Sequence, residues 1–263
     1  IMRYITIKNT DIKVSRLAFG TASLHHIFSR KKRLNLLEDA LMLGISHFDT
    51  SPYYGYGLSE IDLGLMSKGR RDHVSITTKI GLYPPVASSE NIYSVWTRKT
   101  IGKAFSKIIT PEVNWSINRA ALSLETSLRR MDTDYVDFLF LHEPNFLLIN
   151  SDEFLKWFEA VISQGKVRYV GIAGEPRTIL PWLNKESAIS RIIQTRDGHK
   201  ESKVVDLMTD NGHAPQFTYG YISSSNAKNI DKVIKNASSR NSSGSIIVST
   251  RKKERLADLA NLG

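Results

Sequence analysis

Eight short apolar runs punctuate this 263-residue chain, and helical stretches separate them. The runs are Leu17–Gly20, Ile45–Asp49, Ser75–Lys79, Phe138–His142, Tyr169–Ala173, Ile192–Gln194, Gln216–Tyr219 and Ser245–Ser249. Between them the helical period is legible. Leu34, Leu37 and Leu41 share one face, and Ile117, Ala121, Leu124, Leu128 and Met131 share another. Phe154, Leu155, Phe158, Val161 and Ile162 form a third face before Gly165, a residue suited to end a helix. This alternation is the signature of an α/β protein with a parallel sheet. Eight strand–helix units predict a closed (β/α)8 barrel, because closure removes both sheet edges. Ahead of the first run, Tyr4–Ile7 and Ile12–Val14 flank Asn9-Thr10-Asp11 and predict an N-terminal β-hairpin at the barrel floor. No repeat, linker or low-complexity stretch divides the chain, so residues 1–263 are expected to form a single domain.

Composition narrows the class further. A chain with 41% hydrophobic and 24% charged residues reads as an ordinary globular protein. No apolar run approaches the roughly 18 residues a transmembrane helix needs, and no secretory signal is expected from Ile1-Met2-Arg3-Tyr4-Ile5. With no cysteine there is neither disulfide nor thiolate chemistry, which fits a cytoplasmic protein. The formal charge of +10 raises nucleic acid as a partner. Its carriers, Arg30-Lys31-Lys32-Arg33, Arg129-Arg130 and Arg251-Lys252-Lys253, are scattered over different helices without a recognition motif, so solvated helix faces are expected instead.

Four residues carry the chemistry: Asp49, Tyr54, Lys79 and His142. Three of them end an apolar run, and Tyr54 follows Asp49 by five residues. In a parallel barrel the strand ends meet at one rim, where active sites are built. Taken singly, each has a plain reading as a cap, a loop aromatic or a solvated strand end. Together they suit carbonyl reduction. Lys79 is expected to lower the pKa of the Tyr54 phenol, with Asp49 holding the ammonium by a charge-assisted hydrogen bond. Tyr54 then donates a proton to the carbonyl oxygen, and His142 orients the carbonyl or steadies the developing oxyanion. No protein group donates hydride, so a nicotinamide is required, with no metal. His47 is expected to face the helix layer, and His25 and His26 are placed after the first strand, near substrate or in structural roles. The stretch from Lys79 to Asn114, with Pro84-Pro85, Tyr93, Trp96 and Phe105, is expected either to wall a substrate pocket or to form a flexible surface excursion.

The chain resembles the aldo-keto reductases across nearly its whole length. The resemblance sits in Phe48-Asp49-Thr50-Ser51-Pro52-Tyr53-Tyr54-Gly55, in Ile76-Thr77-Thr78-Lys79, in Asp134-Tyr135-Val136-Asp137-Phe138-Leu139-Phe140-Leu141-His142, and in Gly165-Lys166-Val167-Arg168-Tyr169-Val170-Gly171-Ile172. It implies a (β/α)8 barrel and NADPH-dependent reduction of an aldehyde or ketone to an alcohol, with NADP as the spent cofactor and a small-molecule carbonyl as substrate. Ser249, Thr250 and Arg255 are implied at the adenosine 2′-phosphate, with Arg251 beside them. Gln194 matches the residue that contacts the nicotinamide carboxamide, and Tyr219 the aromatic that stacks on the nicotinamide ring. Gly20 and Thr21 fit the first loop beside the cofactor.

Two departures stand out. The family usually follows Gly171-Ile172 with a serine and an asparagine that hold the carboxamide, whereas this chain has Ala173 and Gly174. It also stops at Leu262-Gly263, where many relatives continue into a loop over the substrate, so an open or differently walled pocket is expected, with more weight on residues 80–115. The alternative function is a non-enzymatic nicotinamide-nucleotide-sensing or accessory subunit, which loss of a member of the four would favour; none is lost.

Overall fold

The computed structural model describes residues 2–85, 110–183, 187–198, 200–224 and 230–260. A hairpin of β1 (Tyr4–Thr6) and β2 (Lys13–Ser15) pairs Ile5 with Val14. The strands β3 (Leu17–Gly20), β4 (His47–Asp49) and β5 (Ser75–Ile80) follow in parallel. A separate antiparallel ribbon joins β6 (Leu82–Tyr83) to β7 (Glu112–Val113). The barrel resumes with β8 (Val136–His142), β9 (Val167–Gly174), β10 (Ile193–Arg196), β11 (Phe217–Tyr219) and β12 (Ser245–Val248), and β12 pairs back with β3. The result is the expected closed eight-stranded parallel barrel, its hairpin included.

Helices lie between the strands: α1 (Arg30–Met42), α2 (Leu58–Ser67), α3 (Ile117–Met131), α4 (Ser151–Ser163) and α5 (Pro176–Leu183). The later ones are α6 (Ser202–Asp210), α7 (Tyr221–Ser224), α8 (Ile230–Arg240) and α9 (Lys253–Ala260). Several begin where a side chain can satisfy an orphan backbone donor. Ser29 accepts from Lys32 N–H, Ser116 from Arg119 N–H and Asn150 from Glu153 N–H.

Two apolar layers result from the period of two along each strand. In β8, Leu139 and Leu141 face outward and pack with Leu124, Phe158 and Ile179 of the helices. Phe138 and Phe140 face inward and meet Ile7, Ile12 and Val14 beside the hairpin, so the barrel floor is plugged. Polar contacts fasten the plug: Asp11 accepts from Tyr169 Oη and Arg168 Nη2, each at 3.0 Å, and Asn9 donates to the Arg191 carbonyl at 3.1 Å.

One expectation, that His47 faces the helix layer, is corrected. The buried residues of α1 are Arg33, Leu36, Leu37, Asp39 and Ala40, and Leu34 and Leu41 are half-buried. Arg33 turns inward because Asp62 of α2 takes its Nε at 2.5 Å and the Ile27 and Phe28 carbonyls take its Nη1 at 3.0 Å. His47 faces the barrel interior, not the helices: its ring stacks on Phe217 at 4.7 Å and meets the edge of Phe138. It lies two positions before Asp49, so strand geometry puts both on one face. Ser75 Oγ at 2.9 Å and Thr77 Oγ1 at 3.2 Å partner its nitrogens.

Desolvation, helped by the Lys79 charge, lowers the His47 pKa from 6.5 to about 3. An unfolded chain takes up that proton near its ordinary pKa, whereas the folded chain resists it. The stability this confers is full above about pH 6.5 and is lost as pH falls toward 3, by roughly 1.4 kcal/mol per pH unit. Urea denaturation between about pH 7 and about pH 5 is expected to show that loss, and His47→Gln to flatten it. An unchanged acid slope in the variant would show that His47 does not control it.

Candidate active site

The site begins with strand register. Asp49 pairs with Thr77 in the parallel β4–β5 ladder, and Lys79 lies one pleat further on the same face. Lys79 Nζ therefore reaches Asp49 Oδ1 at 2.6 Å and the Thr50 carbonyl at 2.8 Å. Lysine is almost never fully buried without partners; here it is 1% exposed and paired twice. After β4 a tight turn brings Tyr54 back: its N–H donates to the Ser51 carbonyl at 2.9 Å, and Gly55 and Tyr56 adopt positive φ. The Tyr54 ring centroid lies 5.0 Å from Lys79 Nζ, and His142, ending β8, meets that ring edge-on at 6.0 Å. The four residues converge on one cleft of about 270 Å³.

Electrostatics follow from burial. The Tyr54 phenol is pushed well above its usual pKa by desolvation, then by the charge of Asp49. This reverses the lowering expected from a neighbouring cation, because Lys79 is already paired with Asp49 and water is excluded. Desolvation also lowers the Lys79 pKa, opposed by Asp49. His142 falls well below 6.5 through desolvation and the Lys79 charge, so it is neutral at physiological pH. The site thus presents a protonated phenol and a neutral imidazole.

The rest of the cleft is built from the ends of the other barrel strands. His142 pairs with Ala173, and Ala173 with Gln194, so three adjacent strands contribute one row. Gln194, Tyr219, Gly20 and Ser249 line the same cleft as the four residues above. Ser249 Oγ donates to the Gly20 carbonyl at 2.9 Å and ties the last strand to the first loop. Thr21 is turned away, its hydroxyl donating to the Asp49 carbonyl at 3.0 Å. Thr250 is buried at the start of α9, where its Oγ1 accepts from Lys252 N–H at 3.2 Å. Arg251 and Arg255 are exposed around that helix start and do not line the cleft. The His25 and His26 rings meet at a tilt, 4.1 Å apart, and do not line it. Residues 86–109, with Tyr93, Trp96 and Phe105 of the expected pocket wall, lie outside the described residues.

Would a nicotinamide cofactor suit these residues? Among the described residues no donor reaches Gln194 Oε1, although the atom is buried. A buried acceptor without a donor is costly, and a ligand amide is the group that would satisfy it. A methyl group on Gly20 would come within 2.6 Å of Ser249 Oγ and 2.9 Å of the Ile247 side chain, so the backbone itself forms the wall there. The residues fit. Among the described residues, no cluster of three or more histidine or acidic side chains is placed to hold a metal.

Residues 16–212 match the model of the aldo/keto reductase family. The chain belongs to that family. The L-galactose dehydrogenase of Arabidopsis thaliana is 30% identical over 184 residues, 66% of this chain and 49% of that protein. The NADH-specific methylglyoxal reductase of Escherichia coli is 27% identical over 80% of this chain and 65% of its own length. The chain spans about half the length of the first curated relatives it matches. Among solved structures, the holo form of a Bacillus halodurans aldo-keto reductase superposes with a TM-score of 0.77 at 19% identity, over 100% of this chain and 91% of that one. A Klebsiella pneumoniae aldo-keto reductase in complex with NADPH gives 0.69 at 16% identity, over 100% and 89% of the two chains.

Sequence reasoning missed Tyr221 and Glu143. Tyr221 lines the cleft and its hydroxyl donates to Asp197 Oδ2 at 2.7 Å; the positive φ of Gly220 beside it was the available signal. Glu143, itself at positive φ, faces Gly174. Its carboxylate accepts from Glu175 N–H at 3.0 Å and from Thr178 Oγ1 at 3.0 Å, which anchors the start of α5. A methyl group on Gly174 would meet Glu143 Oε2 at 2.7 Å and Thr178 Oγ1 at 2.6 Å. The carboxylate occupies the space that a side chain at 174 would enter. Gly174→Asn is therefore expected to lose about 1–3 kcal/mol of stability in urea denaturation. Combined with Glu143→Ala, it is expected to cost less than the two single losses summed. Additive losses would show that residues 143 and 174 do not compete for space.

Proposed function

We propose that this chain reduces an aldehyde or ketone to an alcohol, with NADPH as hydride source and Tyr54 as proton donor. The observation that carries the reading is the Lys79 ammonium, locked between Asp49 and the Thr50 carbonyl beside the Tyr54 ring. NADPH supplies hydride to the carbonyl carbon when bound. The chain's own residues supply the rest. Tyr54 keeps its proton until negative charge develops on the carbonyl oxygen, then transfers it there, so carbon gains hydride and oxygen gains a proton. His142, neutral, donates a hydrogen bond to that oxygen. Lys79 stabilises the phenolate that remains, and Asp49 holds Lys79 in place.

Gln194 would hold the carboxamide and Tyr219 would stack on the ring, with Gly20 giving room beside them. Ser249 and Thr250 lead into the exposed cations Arg251, Lys252 and Arg255 around the start of α9, a setting that favours an added phosphate. This supports NADPH over NADH, although one relative carries NADH specificity in its name.

Titration of tryptophan fluorescence is expected to report NADPH binding that Arg255→Ala weakens about tenfold, with NADH bound more poorly. Tyr54→Phe is expected to lower kcat by about 100-fold or more while leaving NADPH affinity in place. Binding of neither nucleotide would sink the reading. Intact nucleotide binding without turnover on any of a broad set of carbonyl compounds would favour a nucleotide-sensing subunit.

The pH profile is a separate check. His142 stays uncharged because its pKa lies below 6.5, so kcat/KM for reduction is expected to show no ionisation near that value. The alkaline limb is expected from Lys79, whose pKa is lowered from 10.5, and not from Tyr54, whose pKa is raised. An acid limb centred near 6.5 would mean that an imidazolium forms at His142.

A further inference from the structure

Three consecutive residues at the end of β4 engage the site. Asp49 and the Thr50 carbonyl hold Lys79. Ser51, fully buried, comes next. Its carbonyl accepts the Tyr54 N–H, and its hydroxyl has two neighbours of its own. Oγ accepts the Tyr53 N–H at 3.3 Å and lies 3.4 Å from His142 Nδ1.

A serine hydroxyl has a single proton to give. Among the described residues, His142 Nδ1 is the acceptor within reach of Ser51 Oγ. Were the imidazole to donate from Nδ1 instead, the serine proton would be left buried without an acceptor, a costly arrangement. The bond therefore runs from Ser51 to the imidazole. A neutral imidazole that accepts at Nδ1 carries its own proton at Nε2.

We infer that Ser51 is a positioning residue whose hydroxyl selects the Nε2–H tautomer of His142, giving the cleft a second hydrogen-bond donor beside the Tyr54 phenol. The inference rests on the reductase reading for its consequence, since a donor at Nε2 is what a carbonyl oxygen requires. The tautomer itself can be read without substrate. Ser51 thereby serves both donors, fixing the Tyr54 turn through its carbonyl and the imidazole through its hydroxyl.

The deciding measurement is a long-range proton–nitrogen spectrum of the full chain labelled at histidine nitrogens, with the His142 signals assigned by their loss in His142→Gln. The expected result is a protonated Nε2 and a bare Nδ1 at His142 in the unsubstituted protein, and a mixture of tautomers in Ser51→Ala. Ser51→Ala is also expected to lower kcat about tenfold with KM and NADPH affinity nearly unchanged, and Ser51→Thr to restore much of the loss. A proton on Nδ1 in the unsubstituted protein overturns the inference, whether or not the variants fold. So does a Ser51→Ala protein that keeps the pure Nε2–H form. Absence of carbonyl turnover in the unsubstituted protein would count against the reductase reading alone, because the spectrum needs no substrate.

Discussion

The ion pair between Lys79 and Asp49 is the interaction on which the site depends. Removing an ammonium from water costs several kcal/mol, and the cost is recovered only when close, well-directed acceptors replace the solvent. Here the acceptors are a carboxylate at 2.6 Å and a carbonyl at 2.8 Å, both supplied by the end of β4. That pairing demands one register between β4 and β5. A slip of one residue would turn Lys79 toward the helices and leave Asp49 buried without its cation. Barrel closure fixes the register further, since each strand is held on both sides. The fold is therefore what makes a buried lysine tolerable, and the buried lysine is what gives the cleft its charge pattern.

Much of this architecture was legible because strand ends advertise themselves. Phe138-Leu139-Phe140-Leu141-His142 turns abruptly from apolar to polar, and the structure ends β8 at that step. Helix faces were read less well where a charge is buried. The inward turn of Arg33 depends on Asp62, which is 29 residues away in sequence and on another helix. The orientation of His47 was within reach from strand parity alone, because Asp49 shares its face. A histidine is nonetheless hard to assign to a core until Ser75 and Thr77, from the adjacent strand, are seen to satisfy it. At Gly174 the sequence records an apparent loss, the missing family asparagine. The Glu143 carboxylate that fills the space beside it lies 31 residues earlier, and only the adjacency of β8 and β9 brings the two together.

The sign of the Tyr54 shift bears on how such a site handles a proton. A lysine next to a phenol invites the expectation of an easily formed phenolate. That expectation treats the ammonium as a free charge. In this cleft Asp49 neutralises it, and desolvation then dominates, so the resting phenol is held in its protonated form. A proton donor with a raised pKa is a weak acid toward water but an adequate one toward an alkoxide, which is a far stronger base. The proposed donor would thus hold its proton against solvent and release it when charge builds on the carbonyl oxygen. In the same proposal Lys79, 5.0 Å from the Tyr54 ring, would act mainly on the phenolate being formed. On the proposed mechanism, the burial that raises the resting phenol's pKa would confine proton transfer to the reacting state.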